Sequence, residues 1–141
     1  MDDIDRAVWE IGQGRPVVVV DDPERENEGD LVFAASHATA ELVGFMVRYT
    51  SGVICVPADG AVLDRLEISL LVPRQSLAQC AFCMSVDASA GVGSGISAQD
   101  RALTIRTLAD QRTEPGDLVR PGHVFRSEEH TSELQSRTLI S

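Results

Sequence analysis

Apolar residues near the start of the chain recur with the spacing of one helix face. Ile4, Val8 and Ile11 follow one another at intervals of four and three residues, which places them on the same side of an α-helix. Residues 2–11 are therefore predicted to form an amphipathic helix, and Gly12 is typical of its end.

Two strand-like segments follow, separated by a polar loop. Residues 17–20 are four consecutive valines, a pattern that predicts a strand buried on both faces. Residues 21–30 are almost entirely polar and predict a loop, after which residues 31–35 resume as a strand. This part of the chain is therefore predicted to contain one helix and two strands.

The middle of the chain also predicts helices that alternate with strands. Thr39 is typical of a helix N-cap, and the helix that follows is predicted to end near Gly52. Residues 53–56 predict another buried strand. Residues 59–78 predict a short helix followed by irregular chain, and residues 82–87 predict a further strand.

A glycine-rich turn precedes the last predicted helix. Residues 91–95 contain three glycines, and Ser97 and Asp100 have the spacing of a capping box, so a helix is predicted to begin after Ser97. Residues 120–123 are predicted to form a turn that leads into residues 124–125. Short buried strands alternating with amphipathic helices indicate the α/β (α+β) class, with a mixed β-sheet and flanking helices.

The charge of the chain limits the partners that it can bind. The chain has 141 residues, enough for one domain, and a net charge of -10. Nucleic acids and anionic membranes need clustered Lys and Arg, so neither is an expected partner, whereas a few local donors suffice for a small anion. The acidic start and the lack of a long apolar run predict a cytoplasmic protein with reduced cysteines.

The character of the sequence changes after Phe125. Residues 126–136 have almost no apolar side chains, and they match the in-frame translation of a common sequencing adapter at eleven consecutive positions. We therefore expect residues 1–125 to be a partial domain. Residues 126–141 are expected to be a non-native, disordered tail without function.

The densest candidate chemistry lies in the polar loop at 21–30. Six of its ten residues are acidic, and Arg25 lies among them. Ligands often bind to loops that directly follow a buried strand, and Mg²⁺ prefers carboxylate oxygens. Crowded carboxylates also suit acid–base chemistry, because each raises the proton affinity of its neighbours. The alternative is a solvated acidic loop without a ligand.

Four motifs occur in a fixed order along the chain. They are DPERENEGD at 22–30, YTSGVIC at 49–55, FCMSVDA at 82–88 with GISAQDRALTI at 95–105, and RPGHVF at 120–125. In this order they resemble the motifs of the 3,4-dihydroxy-2-butanone 4-phosphate synthases. The resemblance covers residues 2–125, which makes a chance match of all four motifs very improbable.

The resemblance implies a lyase of riboflavin biosynthesis. Members of the family convert D-ribulose 5-phosphate into 3,4-dihydroxy-2-butanone 4-phosphate and formate, with Mg²⁺ (or Mn²⁺) as cofactor and a homodimer as the active assembly. The reaction creates enediolate and alkoxide charge and moves several protons, which suits a divalent metal and acid–base side chains. Some members carry an additional GTP cyclohydrolase II domain.

The resemblance also assigns roles within the acidic loop. Glu26 is expected to ligate the metal and to contact the substrate. Arg25 and Asp30 are expected to bind the sugar phosphate. Glu28 and Asp21 are expected to act in catalysis, Glu28 by handling the metal or protons.

Outside the acidic loop, the resemblance assigns three more positions. Cys55 matches an active-site cysteine, and His123 matches a catalytic histidine that reaches a neighbouring subunit's site. Ser94 stands where the family has threonine, at a helix N-terminus that favours phosphate. Without the resemblance, Cys55 is a buried thiol and His123 a turn residue. Asp100 and Arg101 fit either helix capping and pairing or a role in the site.

One family segment has no counterpart in this chain. The family continues past RPGHVF with PL and a GGHTEA segment, which carries a second metal-binding histidine and phosphate ligands. We therefore expect the intact enzyme to be active and the 141-residue chain to be inactive or nearly so. The alternatives are a fragment that binds sugar phosphate or dimerises without catalysis, and a structural domain with a solvated acidic face.

Overall fold

The computed structural model describes residues 2–20, 24, 28–71 and 81–129. Short 3-10 turns occur at Ala35–His37 and Pro115–Asp117. The helices and strands, in chain order, are α1 (Asp3–Gly12), β1 (Val17–Val20), β2 (Gly29–Val32), α2 (Ala40–Tyr49), β3 (Cys55–Asp59), α3 (Gly60–Arg65), β4 (Ala81–Phe82), β5 (Val86–Ala88), α4 (Ala98–Ala109) and β6 (Leu118–Glu129).

The long strand β6 is the centre of the main sheet. β3 pairs with it in parallel, with Cys55 opposite Phe125. β4 and β5 pair with it antiparallel, β4 near its end and β5 along its first half. β1 and β2 form a separate two-stranded antiparallel sheet. Helix α4 packs against α2, β5 and β6, so a mixed sheet with flanking helices confirms the predicted architecture.

The hydrophobic core lies between the main sheet and the helices α2 and α4. Complete burial of an aliphatic or phenylalanine side chain stabilises a fold by roughly 1.5–3 kcal/mol. The core thereby fixes β5, β6 and α4 relative to one another. Its largest fully buried apolar side chains are Phe33, Ile54, Leu66, Ile105, Val43, Val56, Val86 and Val124.

Side-chain caps explain where the two longer predicted helices begin. Thr39 Oγ1 accepts a hydrogen bond from the backbone N–H of Leu42 at 3.2 Å, and Ser97 Oγ accepts one from that of Asp100 at 3.0 Å. Such a cap contributes about 1 kcal/mol, and both confirm the helix starts predicted from sequence. Within the described part of the chain, no helix has the length and apolar character needed to cross a membrane.

The prediction that β1 is buried on both faces is wrong. Val18 and Val20 are 69% and 71% exposed, because β1 pairs with β2 in the small sheet and these two side chains lie outside the hydrophobic core of the described residues. The apolar stripe of α1 is also exposed at Ile4 and Val8. A run of valines predicts strand conformation reliably, but burial depends on packing that the local pattern does not contain.

The strand β6 also differs from its prediction. Residues 120–123 lie within the strand instead of forming a turn, and the strand continues four residues past Phe125. Residues 126–129 thus pair with β3 and β4 in the sheet, because backbone pairing does not depend on apolar side chains. The disordered tail at 126–141 stays a prediction. Residues 130–141 lie outside the described residues.

Another predicted strand is divided in two. Residues 82–87 were expected to form one strand, whereas the structure has β4 and β5 with Cys83–Ser85 between them. β4 pairs with the end of β6, and β5 pairs with its first half, where the register shifts between Val86 and Asp87. The break lets one stretch of chain follow β6 along its whole length and turns Asp87 towards that strand.

Candidate active site

The carboxylate of Asp87 on β5 and the imidazole of His123 on β6 form a close pair. His123 Nδ1 lies 2.9 Å from Asp87 Oδ2 and 3.2 Å from Oδ1, and the backbone N–H of His123 donates to Oδ1 at 2.8 Å. The Asp87 side chain is 8% exposed and that of His123 is 37% exposed. The buried carboxylate therefore holds a histidine ring that solvent can reach.

Gly122 explains how the two strands come close enough for this contact. A β-carbon at residue 122 would lie 2.1 Å from the carbonyl carbon of Val86, so no other residue type fits without moving a strand. The backbone N–H of Gly122 also donates to Ser85 Oγ at 3.1 Å. The Pro-Gly-His sequence thus places the His123 backbone directly against the start of β5.

The glycine-rich turn before α4 covers the other side of Asp87. Gly95 has a φ of +94°, and a β-carbon there would lie 2.2 Å from Asp87 Oδ2. The carboxylate of Asp100 holds the turn in place by accepting hydrogen bonds from the backbone N–H groups of Gly93 at 3.1 Å and Gly95 at 3.0 Å. Asp100, Gly95, Asp87 and His123 therefore form one connected series of contacts.

This role of Asp100 changes the expectation for Ser94. The predicted phosphate site at the start of α4 needs backbone N–H groups, but those of Gly93 and Gly95 already bind Asp100. A carboxylate at that position also repels an anion. The Ser94 hydroxyl accepts from the backbone N–H of Ile96 at 3.4 Å and lies on the surface of the turn. The structure therefore favours a turn held by Asp100 over the predicted phosphate cradle.

A buried threonine links α4 to β5 by a hydrogen bond. Thr104 Oγ1 accepts a hydrogen bond from the backbone N–H of Ala88 at 2.9 Å and donates to the carbonyl of Asp100 at 3.2 Å. Thr104 is fully buried, so this bond is shielded from water. Arg101, on the next turn of the same helix, has a buried Nε without a hydrogen-bond partner among the described residues.

Cys55 lies near the pair, on the neighbouring strand. It begins β3 opposite Phe125, which is two residues beyond His123 on β6. The backbone N–H of Phe125 donates to the carbonyl of Ile54 at 3.1 Å, so the register there is firm. Cys55 is half-buried, and its role in the site stays a prediction.

Three acidic residues of the loop at 21–30 lie among the described residues: Glu24, Glu28 and Asp30. Glu28 and Asp30 are exposed, Glu28 directly before β2 and Asp30 within it, on the two-stranded sheet rather than the sheet that carries His123. Asp21, Arg25 and Glu26 lie outside the described residues. In residues 2–20, 24, 28–71 and 81–129, no group of three or more His, Cys, Asp and Glu side chains is arranged to hold a metal ion.

A buried arginine lies close to Cys55. Arg126 on β6 is 2% exposed, and burial lowers its pKa to about 10, while the nearby thiols of Cys55 and Cys83 act in the opposite direction. Among the described residues its Nε has no hydrogen-bond partner. Position 126 is therefore a costly place for a guanidinium, since a buried charge needs full pairing.

Known proteins share these motifs and this fold. A family model for 3,4-dihydroxy-2-butanone 4-phosphate synthase matches residues 5–139. The chain belongs to this family. The resemblance inferred from the four motifs is thereby confirmed.

Two mycobacterial relatives are similar to most of the chain. The riboflavin biosynthesis protein RibBA of Mycobacterium ulcerans is 56% identical over 125 residues, which are 88% of this chain and 29% of the relative. RibBA of Mycobacterium tuberculosis strain H37Rv is 53% identical over the same length and with the same coverage. The chain therefore spans about three-tenths of the length of these synthase relatives.

Solved synthases have the same fold. A crystal structure of 3,4-dihydroxy-2-butanone 4-phosphate synthase in complex with two magnesium ions matches with a TM-score of 0.87 and 40% identity, over 93% of this chain and 62% of that one. The synthase of Candida albicans matches with a TM-score of 0.85 and 37% identity, over 97% and 67%. These similarities confirm the predicted mixed-sheet fold of the synthase family.

Sequence reasoning missed the contact of Asp87 with the candidate residue His123. The Val-Asp-Ala segment of β5 indicates this contact, because its acidic residue lies between two buried apolar residues. Acidic side chains are almost never buried unless they are paired. Among the synthase motifs, RPGHVF contains a histidine, His123, that could pair with such an acid.

Proposed function

We propose that the domain formed by these residues converts D-ribulose 5-phosphate into 3,4-dihydroxy-2-butanone 4-phosphate and formate. The observation that supports this most directly is the His123 ring, held on one side by buried Asp87 and reachable by solvent on the other. The chain belongs to the synthase family, and its mycobacterial relatives are named riboflavin biosynthesis proteins.

His123 is the proposed proton-transfer group. The reaction removes a proton next to a carbonyl, loses water and releases formate, so protons must move at several carbons. An imidazole suits this work because its ordinary pKa lies close to neutral pH. Asp87 binds one ring nitrogen, which leaves the other for the substrate. Cys55, on the adjacent strand, is proposed to line the same site.

The acidic loop is the proposed place of metal and sugar-phosphate binding. Glu26 would ligate a divalent cation, Mg²⁺ or Mn²⁺, with Glu28 and Asp21 assisting in catalysis and Arg25 and Asp30 binding the substrate. The chemistry of the donors fits, because hard divalent cations prefer carboxylate oxygens and Glu28 and Asp30 are exposed. When bound, such a cation stabilises negative charge on vicinal substrate oxygens. The Ser94 hydroxyl is proposed to donate to the substrate from the turn.

A cytoplasmic homodimer is the proposed state of the protein. In the cytoplasm the three cysteines of the chain are expected to be reduced. Phe45, Tyr49 and Val53 are 45%, 65% and 60% exposed around the end of α2, and exposed apolar patches often mark association surfaces. Light scattering after size-exclusion chromatography measures the mass directly, and a monomeric mass at micromolar concentration would contradict the dimer.

Formate release tests the proposed activity. Because the chain spans 29% of RibBA from M. ulcerans, the 125 matched residues can replace their counterparts in that protein, with unaltered RibBA as the reference. We expect the hybrid to release formate from ribulose 5-phosphate with Mg²⁺, and to lose this activity with Glu26→Gln or with EDTA. A folded hybrid without formate release, beside an active reference, would contradict the proposal.

The same assay on the 141-residue chain tests the expectation that it is inactive alone. Formate release at a rate similar to the hybrid would overturn that expectation. Binding of ribulose 5-phosphate without formate release would instead support the alternative of a sugar-phosphate-binding chain. Isothermal titration calorimetry measures the binding of ribulose 5-phosphate to the chain, with the Glu26→Gln variant as the comparison.

A further inference from the structure

One carboxylate oxygen of Asp100 binds the backbone on both sides of Ser94. Asp100 Oδ2 accepts a hydrogen bond from the backbone N–H of Gly93 at 3.1 Å and from that of Gly95 at 3.0 Å, and Ser94 is the residue between them. The Ser94 backbone cannot move away from α4 without breaking both bonds. Its position therefore depends on Asp100.

The ends of the same turn pack against two different elements. A β-carbon at Gly91 would lie 2.9 Å from Leu103 Cδ2 on α4, and one at Gly95 would lie 2.2 Å from Asp87 Oδ2 on β5. The turn is thus in close contact with the helix at one end and with the strand at the other. The two hydrogen bonds to Asp100 hold the backbone between these contacts.

The Ser94 hydroxyl is able to donate to a ligand. Ser94 is exposed, and its Oγ accepts from the backbone N–H of Ile96 at 3.4 Å. A hydroxyl has one donor and two acceptor sites, so a bond in which the oxygen accepts leaves the hydrogen for a second partner. The turn therefore presents one O–H donor on a backbone that Asp100 holds.

We propose that Asp100 is a positioning residue for substrate binding: it holds Ser94 so that the hydroxyl donates to an oxygen of the substrate. The proposal rests on the proposed function, in which Ser94 contacts ribulose 5-phosphate. Asp100 is half-buried and acts through Ser94, without contact to the substrate. A donor that is fixed before binding loses less conformational entropy on binding, so loss of Asp100 weakens binding more than it slows the chemical steps.

A merely structural role for Asp100 is the alternative. An acidic residue in the first turn of a helix stabilises that helix through the helix dipole, and this effect needs no bond to the turn. Asp100→Asn separates the two roles, because the amide oxygen of asparagine can accept from both glycine N–H groups while the negative charge is lost. Asp100→Ala removes the acceptor and the charge together.

The first test measures amide hydrogen exchange in the 141-residue chain by NMR. We expect Asp100→Ala to speed exchange at Gly93 and Gly95 by roughly 10–100-fold, the effect of losing a hydrogen bond to a charged group, and Asp100→Asn to speed it much less. Glu41→Ala is the matched control, because Glu41 is also an acidic residue in the first turn of a helix, α2. It should leave exchange at both glycines unchanged.

Unchanged exchange at both glycines in Asp100→Ala would overturn the inference. If Asp100→Ala does not fold, Asp100→Ser provides the second variant. The serine side chain is shorter by one bond and cannot reach both amides, so the same acceleration is expected, and its absence would count equally against the inference.

The second test is a double-mutant cycle in the hybrid protein. Ser94→Ala and Asp100→Ala should each raise the KM for ribulose 5-phosphate by roughly 2–10-fold, the effect of losing one hydrogen bond, with a smaller change in kcat. The double variant should have the KM of the more affected single variant, because the two residues act through one contact. Asp100→Asn should recover most of the lost affinity.

Multiplicative effects of the two substitutions on KM would overturn the inference, since Asp100 would then act independently of Ser94. An unchanged KM in Ser94→Ala, or a defect in Asp100→Asn as large as that in Asp100→Ala, would also overturn it. Absence of formate release from the unsubstituted hybrid would refute the proposed function. The hydrogen-exchange result needs no substrate and would still stand.

Discussion

Gly95 lies directly against the carboxylate of Asp87, at a position where a β-carbon would be 2.2 Å from Oδ2. The backbone of Gly95 also has a φ of +94°, a conformation that L side chains rarely adopt. Two independent constraints thus require glycine at this position. One is the local backbone, and the other is contact with a residue from another strand.

Replacement of this glycine should disturb the site at a distance. We predict that Gly95→Ala destabilises the chain by roughly 1–3 kcal/mol through backbone strain and displaces Asp87, so that His123 loses its Nδ1 contact. Urea denaturation and the His123 NMR signals measure the two effects. Gly44→Ala is the control, because a β-carbon there meets nothing within 4 Å and alanine within a helix gains about 0.5–1 kcal/mol. A Gly95→Ala protein as stable as wild type would contradict the prediction.

The buried arginine of β6 should be replaceable with a gain in stability. Arg126 is 2% exposed with an unpartnered Nε among the described residues, and an apolar residue of similar volume removes the cost of that buried charge. We predict that Arg126→Met raises the free energy of unfolding by roughly 1–4 kcal/mol. Arg112→Met is the matched control, because the Arg112 side chain is 90% exposed and its pair with Asp110 contributes little.

The pH dependence of this effect follows from the direction of the pKa shift. Burial lowers the pKa of Arg126 from its ordinary value to about 10 in the folded protein. Above about pH 10 the unfolded chain therefore binds more protons than the folded one, and stability rises with pH only there. Below about pH 9 the cost is constant. The difference in stability between wild type and Arg126→Met should therefore be the same at pH 6 and pH 8, and a difference that vanishes at either pH would contradict this assignment.

The parts of the fold that sequence predicted correctly depend on local interactions. The helices after Thr39 and Ser97 begin where their side chains bind backbone N–H groups three residues ahead, and such contacts are visible in a short window of sequence. The burial of Val18 and Val20 was predicted wrongly, because it depends on which layer covers β1. Local pattern contains no information about that layer.

The candidate site shows the same difference between local features, which sequence reveals, and tertiary contacts, which it does not. His123, Cys55 and Ser94 were predicted from their motifs. The structure places His123 beside Asp87 and Cys55 on the strand next to β6, and the roles of all three stay predictions. The Asp87–His123 pair joins residues 36 positions apart, and no periodicity connects them. The pair exists because β5 runs antiparallel to β6 with a register shift before Asp87, a tertiary feature that sequence spacing does not reveal.

A paramagnetic cation can locate the proposed metal site without an activity assay. We predict that Mn²⁺ at substoichiometric concentration broadens the backbone NMR signals of Glu28 and Asp30, because carboxylates of the acidic loop are the proposed ligands. Glu26→Gln should abolish the broadening, and Mg²⁺ should compete it away. Signals of Asp117, an acidic residue of the turn before β6 and outside the acidic loop, serve as the control. Broadening that persists unchanged in Glu26→Gln would count against Glu26 as the ligand.

The buried bond between Thr104 and Ala88 gives a last prediction, which tests how α4 supports the strand that carries Asp87. In Thr104→Val the shape is kept but the backbone N–H of Ala88 loses its acceptor, since Thr104 Oγ1 accepts it at 2.9 Å in a fully buried position. An unsatisfied buried donor costs about 1–3 kcal/mol, so we expect a loss of that size in urea denaturation and faster hydrogen exchange at the Ala88 amide. Thr104→Ser should restore most of both. Thr107→Val is the control, because among the described residues Thr107 Oγ1 donates to the carbonyl of Leu103 in its own helix and accepts no hydrogen bond from β5. Equal losses in the two valine variants would show that α4 is stabilised by its own threonines and not through β5.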